Sequence, residues 1–267
     1  MRVHLKTLQV KIMQTVINTL KELKNDVNLH FDKHGLHIYE TDKPTDPKMV
    51  VQLDLTETAE YEYNAPNEFL KVGIHLTKMS QVMNSVGTYQ ILELDVDNET
   101  SVTITMTNKP NGIKTIYTIP TIDTSDTDIP KFNKKLKYDH VVDLPSKTLK
   151  DIINQIDKCA KCVQFMITNN SMIIESMEHK DQNIQIRTEL FNNNSLENSK
   201  NTAKITSNRV KAIGQGRYDV HRVKEFMKCA SINNNINFCI ESQTSILLIS
   251  CKVGDLGTLQ YYLMPHM

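Results

Sequence analysis

Apolar residues recur along this chain in two rhythms, and the order of those rhythms is run through twice. Val10, Met13, Val16, Ile17, Leu20 and Leu23 keep helical spacing, as do Leu76, Met79, Met83 and Val86. Further on, Leu149, Ile152, Ile153, Ile156 and Ala160, and then Val220, Val223, Phe226, Met227 and Ala230, do the same. Between the first two helices the period changes to two. Arg2–Leu8, Val27–Phe31, Leu36–Tyr39, Met49–Leu55, Tyr61–Tyr63 and Lys71–Leu76 read as strands, with a tight turn at Asp32-Lys-His-Gly35. Tyr89–Val96, Ser101–Thr107 and Ile113–Ile119 then read as a meander. The second run offers Tyr138–Leu144, Val163–Ile167, Met172–Glu175, Asn183–Phe191, Lys204–Ile213, Arg217–Val220, Asn235–Ile240, Ile246–Val253 and Leu259–Met264. Each run is strand, long helix, several strands, short helix, three strands. Thr77 is the expected cap of the second helix, and Pro145-Ser146 opens the third.

Between the runs, Thr118–Lys137 keeps neither period and contains Pro120 and Pro130, so it reads as a linker. The expected organisation is therefore two topologically similar domains, 1–117 and 138–267, joined by 118–137. A chain of 267 residues fits two domains at roughly 150 residues each. Each copy buries two helix faces against antiparallel sheet, which makes the fold class α+β.

The polar faces of the four helices share a chemistry. The first carries Lys11, Gln14, Asn18, Lys21 and Asn25, and the second Lys78, Gln81, Asn84 and Ser85. On the third stand Lys147, Lys150, Asn154, Lys158 and Lys161, flanked by Asp151 and Asp157. The fourth has His221, Lys224, Glu225 and Lys228, with Arg222 beside them. Lys plus Arg equals Asp plus Glu at 31 each, so attraction for nucleic acid has to come from how charge is distributed. Lysine with amide or hydroxyl neighbours draws phosphates without reading bases.

Other signals carry less. No N-terminal apolar run resembles a signal peptide and no window approaches a membrane span, so an intracellular protein with no membrane partner is expected. Five cysteines fit reduced thiols better than a disulfide framework. Cys159-Ala-Lys-Cys162 is a lone pair at a helix end and reads as structural; Gly214-Gln-Gly216 lacks the glycine pattern of a phosphate loop. His30 and His34 span a turn, and Asp123, Asp126 and Asp128 read as solvated linker. No cluster of carboxylates or nucleophile–base pair converges, so no enzyme, no cofactor and no metal are expected.

Four stretches point to a family. Gly254-Asp-Leu-Gly-Thr-Leu-Gln-Tyr-Tyr-Leu-Met-Pro265, Val141-Val-Asp-Leu-Pro-Ser146, Gly73-Ile-His-Leu-Thr-Lys-Met-Ser80 and Thr19-Leu-Lys-Glu-Leu23, with the two-copy order, make the chain resemble the DNA sliding clamp family of proliferating cell nuclear antigen. The resemblance implies a non-enzymatic, closed homotrimeric ring around double-stranded DNA. Such a ring tethers DNA polymerase and other enzymes through short peptide motifs, and a clamp loader is among the partners to test for. A subunit of a heterotrimeric checkpoint-type clamp is the alternative within the fold.

Carried onto this sequence, the resemblance implies DNA contacts at Lys11, Lys21, Lys78, Lys150, Lys158, Arg222 and Lys228. It implies a partner-peptide pocket of Val50, Ile129, Pro130, Ile246, Tyr262, Met264 and Pro265, with Thr41 replacing a large apolar residue at its edge. It also implies a subunit interface pairing Ile113–Pro120, with Ile113, Thr115 and Tyr117, against Asn183–Glu189 of a neighbour, with Ile184, Ile186 and Thr188. Gln14, Thr15, Gln81, Asn84, Asp151 and Asn154 stand where the family usually has Lys or Arg, so weaker DNA contact is expected. The Asn/Lys-rich composition and the lack of an acidic tail favour a large DNA virus as source, acting in the nucleus or a cytoplasmic replication factory.

Overall fold

The computed structural model describes residues 2–43, 48–85, 87, 89–98, 100–124, 138–180, 184–192, 203–207, 213–228 and 232–266. The first run comprises β1 (Arg2–Thr7), α1 (Val10–Leu23), β2 (Asp26–Asp32), β3 (Gly35–Thr41), β4 (Met49–Leu55), β5 (Glu60–Asn64), β6 (Phe69–His75), α2 (Leu76–Met83), β7 (Ile91–Asn98), β8 (Ser101–Asn108) and β9 (Ile113–Pro120). The second comprises β10 (Tyr138–Pro145), α3 (Ser146–Cys159), β11 (Ala160–Ile167), β12 (Ser171–His179), β13 (Arg187–Phe191), β14 (Lys204–Ser207), β15 (Gly214–Asp219), α4 (Val220–Phe226), β16 (Asn235–Glu241), β17 (Leu247–Val253) and β18 (Gly257–Leu263). Element for element, the order repeats.

The pairing repeats as well. In the first copy β1 sits between β5 and β7, and β8 and β9 continue that sheet; β2 sits between β3 and β6. In the second, β10 sits between β14 and β16, and β11 between β12 and β15, with β13 outside β12. All these pairs are antiparallel. Alternation explains their sidedness: in β1, Val3, Leu5 and Thr7 are buried, whereas Arg2 is exposed and His4 and Lys6 are half-buried.

The helices lie on these sheets by their apolar stripes. Val10, Met13, Val16, Ile17 and Leu20 of α1 are buried, as are Leu149, Ile152, Ile153 and Ile156 of α3. Full burial of each such side chain stabilises by about 1.5–3 kcal/mol, so the stripe holds each helix in place.

Several local expectations shift. Helix α2 begins after His75, and Thr77 does not cap it; the Leu76 N–H instead donates to the Asn25 carbonyl at 2.7 Å, satisfying an orphan donor. Helix α3 ends at Cys159, not Lys161, because the chain turns directly into β11. Strand β13 starts at Arg187; before it, the Ile186 N–H goes to the Ser176 hydroxyl at 2.8 Å in place of a regular ladder. Asp219, unremarked in the sequence, caps α4 by accepting from the His221 and Arg222 N–H groups. The compact units are not contiguous either. Residues 41–51 group with the second unit and 252–259 with the first, because β4 and β18 each have residues in both.

The linker begins under control. The Ile122 N–H donates to the Gly73 carbonyl at 2.9 Å, and the Thr124 hydroxyl donates to the Asn28 side chain. A Cβ at Gly73 would overlap the Ile122 carbonyl oxygen, so glycine is what lets this segment lie against β6.

Candidate functional site

The polar faces of the helices are organised in pairs. In the first unit α1 packs beside α2, and an amide network spans them. Gln14 and Asn18 both donate to the Asn84 side-chain oxygen, at 3.2 and 3.1 Å, and the Ser80 hydroxyl donates to Asn18 at 2.7 Å. Around this network Lys11 and Lys78 are exposed and Lys21 is half-exposed.

In the second unit α3 packs beside α4, and a charged pair takes the place of the amides. Lys224 Nζ lies 2.7 Å from the Asp157 carboxylate, and Lys180 Nζ donates to the Asp157 carbonyl at 2.5 Å. The Lys224 hydrogen bond holds the Asp157 carboxyl below its ordinary range, against the opposing effect of burial. Lys147, Lys150, Lys158 and Lys228 are exposed around it. Lys11, Lys21, Lys78, Lys150 and Lys158 pair with no carboxylate among the described residues, so their charge faces solvent undiminished.

Arg222 is placed differently from those lysines. Its guanidinium forms an ion pair with Asp42 at 2.6 Å, only 29% of its side chain is exposed, and its carbonyl accepts from the Tyr261 hydroxyl at 3.1 Å. Asp42 also accepts the Lys48 and Met49 N–H groups at 2.9 and 3.0 Å. Arg222 thus holds Asp42, just beyond β3, to α4.

Of the residues expected in a peptide pocket, Val50 and Tyr262 come together, buried with Cys239 and Leu248, and Ile246 packs against them with Tyr138 and Val141. Met264 and Pro265 are half-buried beyond β18, and the Met264 N–H donates to the Lys48 carbonyl at 3.0 Å. Ile129 and Pro130 lie outside the described residues. Thr41 is buried and closes a local turn through both polar groups of Lys43. Tyr138, missed in the sequence, opens the strand that follows the linker; burial pushes its phenol well above the ordinary value. Cys239 and Cys251 are buried thiols pushed up to about 12 by desolvation.

Strands β9, outside β8, and β13, outside β12, are among the sheet-edge strands. Ile113 and Ile184 are 49% and 54% exposed, in keeping with edges. Thr115 and Tyr117 instead point back, their hydroxyls 2.5 and 2.8 Å from Tyr89 and Ser85. Ile186 and Thr188 are half-buried. Within β9 and β13 the strongest apolar exposure falls on residues not singled out in the sequence, Ile116 at 60% and Phe191 at 66%. Alternation within β9 and β13 was the signal that would have found them.

Comparison with known proteins bears on this arrangement directly. The model of the proliferating cell nuclear antigen N-terminal domain matches residues 3–128. A probable DNA polymerase sliding clamp 1 of Paramecium bursaria Chlorella virus 1 is 19% identical over 266 residues, covering 98% of this chain and 96% of that protein. These matches support a divergent member of the proliferating cell nuclear antigen family. The DNA polymerase sliding clamp of Archaeoglobus fulgidus is 22% identical across 96% of this chain and 95% of its own length. DNA polymerase sliding clamp 2 of Sulfolobus acidocaldarius is 23% identical over 187 residues, 69% of this chain and 71% of that protein. The chain has the α+β clamp fold, with a duplicated order of elements. An amide network through Gln14, Asn18 and Asn84 joins α1 to α2.

Proposed function

We propose that this chain is a processivity clamp that encircles double-stranded DNA and tethers DNA polymerase at sites of replication. Support comes above all from the repeated helix pairs, whose solvent faces carry Lys11, Lys21, Lys78, Lys150 and Lys158, paired with no carboxylate among the described residues, on a protein with no net charge. Such faces attract phosphate oxygens through mobile ammonium groups and leave base edges unread, as sliding requires. A ring is retained by topology, so weak contact per subunit suffices. Lys228 is exposed just beyond α4, and Arg222 contributes through the geometry it maintains.

Ring closure would join β9 of one subunit to β13 of the next, covering Ile113, Ile116, Ile184 and Phe191 and removing both open edges. Three such joints close a homotrimer. Client proteins would insert an apolar anchor beside Val50, Ile246 and Tyr262, with Met264 and Pro265 supplying the rim. The chain then acts as a scaffold and the chemistry belongs to its clients.

Two measurements test the reading. Light scattering is expected to give three times the chain mass; a monomer that assembles only with other chains would overturn the homotrimer. Tyr262→Ala is expected to abolish stimulation of a polymerase while leaving the ring mass unchanged. Full stimulation by that variant would remove the pocket from its proposed role.

A further inference from the structure

Cys162 on β11, Glu178 on β12 and His266 beyond β18 come from distant parts of the second unit, yet one ligand atom from each lies within 4.8 Å of the other two. Among the described residues this is the one such group of three. Cys162 Sγ is 3.5 Å from Glu178 Oε2. That separation matches the ligand–ligand edge of roughly 3.5 Å expected in a tetrahedron with bonds of about 2.1–2.3 Å. The exposed imidazole of His266 closes the remaining distance by side-chain rotation.

The surroundings are set for this geometry. The Arg217 guanidinium pairs with Glu178 through Oε1, which leaves Oε2 turned toward the thiol. The Arg217 carbonyl accepts the His266 N–H at 2.7 Å, so one residue positions two of the three ligands. Glu178 has φ +52°, a left-handed conformation that a non-glycine residue adopts at a cost. Cys162 is 1% exposed, whereas Glu178 and His266 are exposed, so the site is a thiol floor with an open mouth.

We propose that Cys162, Glu178 and His266 bind a borderline divalent cation of the zinc(II) type, with water as the fourth ligand. One sulfur, one nitrogen and one carboxylate oxygen is a donor set suited to zinc. A thiolate, a carboxylate and one guanidinium leave a net single negative charge facing the ion, and binding releases the thiol proton to solvent. Cys159 takes no part. Its Sγ donates to the Ile156 carbonyl at 3.4 Å within its own helix, so the Cys159-x-x-Cys162 spacing is not a two-thiol chelate. The bound ion ties the segment Met264–His266 to β11 and β12. Since Met264 and Pro265 rim the client pocket, the ion also tunes client docking; that consequence, unlike the site itself, rests on the clamp reading.

Cobalt(II) and zinc(II) alone are the probes, added to the intact chain without DNA or client. One cobalt(II) per chain is expected to give thiolate-to-metal charge-transfer absorption that zinc(II) abolishes. His266→Ala and Glu178→Gln, both at exposed positions, are expected to weaken cobalt binding at least about tenfold, while Cys159→Ser leaves it unchanged. Absence of charge-transfer absorption in the unaltered protein would overturn the proposal, as would unchanged affinity in His266→Ala. These readings are independent of polymerase stimulation, so failure of the ion site and failure of the clamp reading are separable.

Discussion

Replacing Arg222 by alanine separates structural anchoring from DNA contact. Breaking a fully buried ion pair costs about 3–5 kcal/mol, because one charge is left uncompensated. Here Arg222 and Asp42 are 29% and 15% exposed, and Asp42 keeps two main-chain donors when the guanidinium is gone. Water and those donors offset much of the loss, leaving an expected destabilisation of about 1–2 kcal/mol. Urea unfolding of Arg222→Ala, Asp42→Asn and the double variant should give a coupling of about 1 kcal/mol. The same variants are then titrated with a labelled duplex across a salt series. Arg222→Ala is expected to leave the slope of log affinity against log salt unchanged, whereas Lys158→Ala lowers its magnitude by up to about 0.9 for each phosphate contact removed. A slope that falls in Arg222→Ala, with unfolding unchanged, would refute the anchoring argument.

Three further perturbations follow from the geometry. Gly73→Ala should expel the start of the linker, raising amide exchange at Ile122 as its bond of about 1 kcal/mol to the Gly73 carbonyl is lost; unchanged protection would show that the overlap is absorbed elsewhere. Ile116→Lys and Phe191→Lys should each lower the mass in light scattering toward the monomer, since each places a charge on an edge that assembly has to desolvate; an intact trimer in both would place the joint elsewhere. His37 carries a pH dependence. Its hydrogen bond to Asp54 at 2.6 Å raises the imidazole above the ordinary 6.5, with burial opposing and the charges of Asp54 and Asp32 adding. A raised folded value means the contribution is complete below about pH 6.5 and is lost as pH climbs through the raised value. Urea midpoints of His37→Gln should therefore fall less steeply across that window than those of the unaltered chain, and parallel curves would exclude the cluster as their source.

Helix existence and order were legible because a stripe such as Leu149, Ile152, Ile153 and Ile156 is a local pattern with one physical solution. The lysines followed from it, since the face opposite a buried stripe is solvated. What escaped were contacts between residues remote in the chain. Nothing near Arg222 announces Asp42, and nothing near Gln14 announces Asn84, so neither the ion pair nor the amide network was legible. Discontiguous units were hidden for a related reason: a strand's period says which side faces the core but not to which unit each end belongs. Thr77 illustrates a third kind of failure, in which a main-chain acceptor, Asn25, satisfies a helix start that a side chain was expected to cap.

The two helix pairs are fastened by different materials, and that gives the duplicated chain an unequal response to its surroundings. Gln14, Asn18 and Asn84 are uncharged, so their grip is indifferent to ionic strength and to acid. Asp157 and Lys224 are 25% and 43% exposed, so mobile ions weaken theirs as salt rises. One unit of the chain is a fixed stay and the other a tension that the ionic medium adjusts. Rising salt would therefore loosen the α3–α4 pair before the α1–α2 pair.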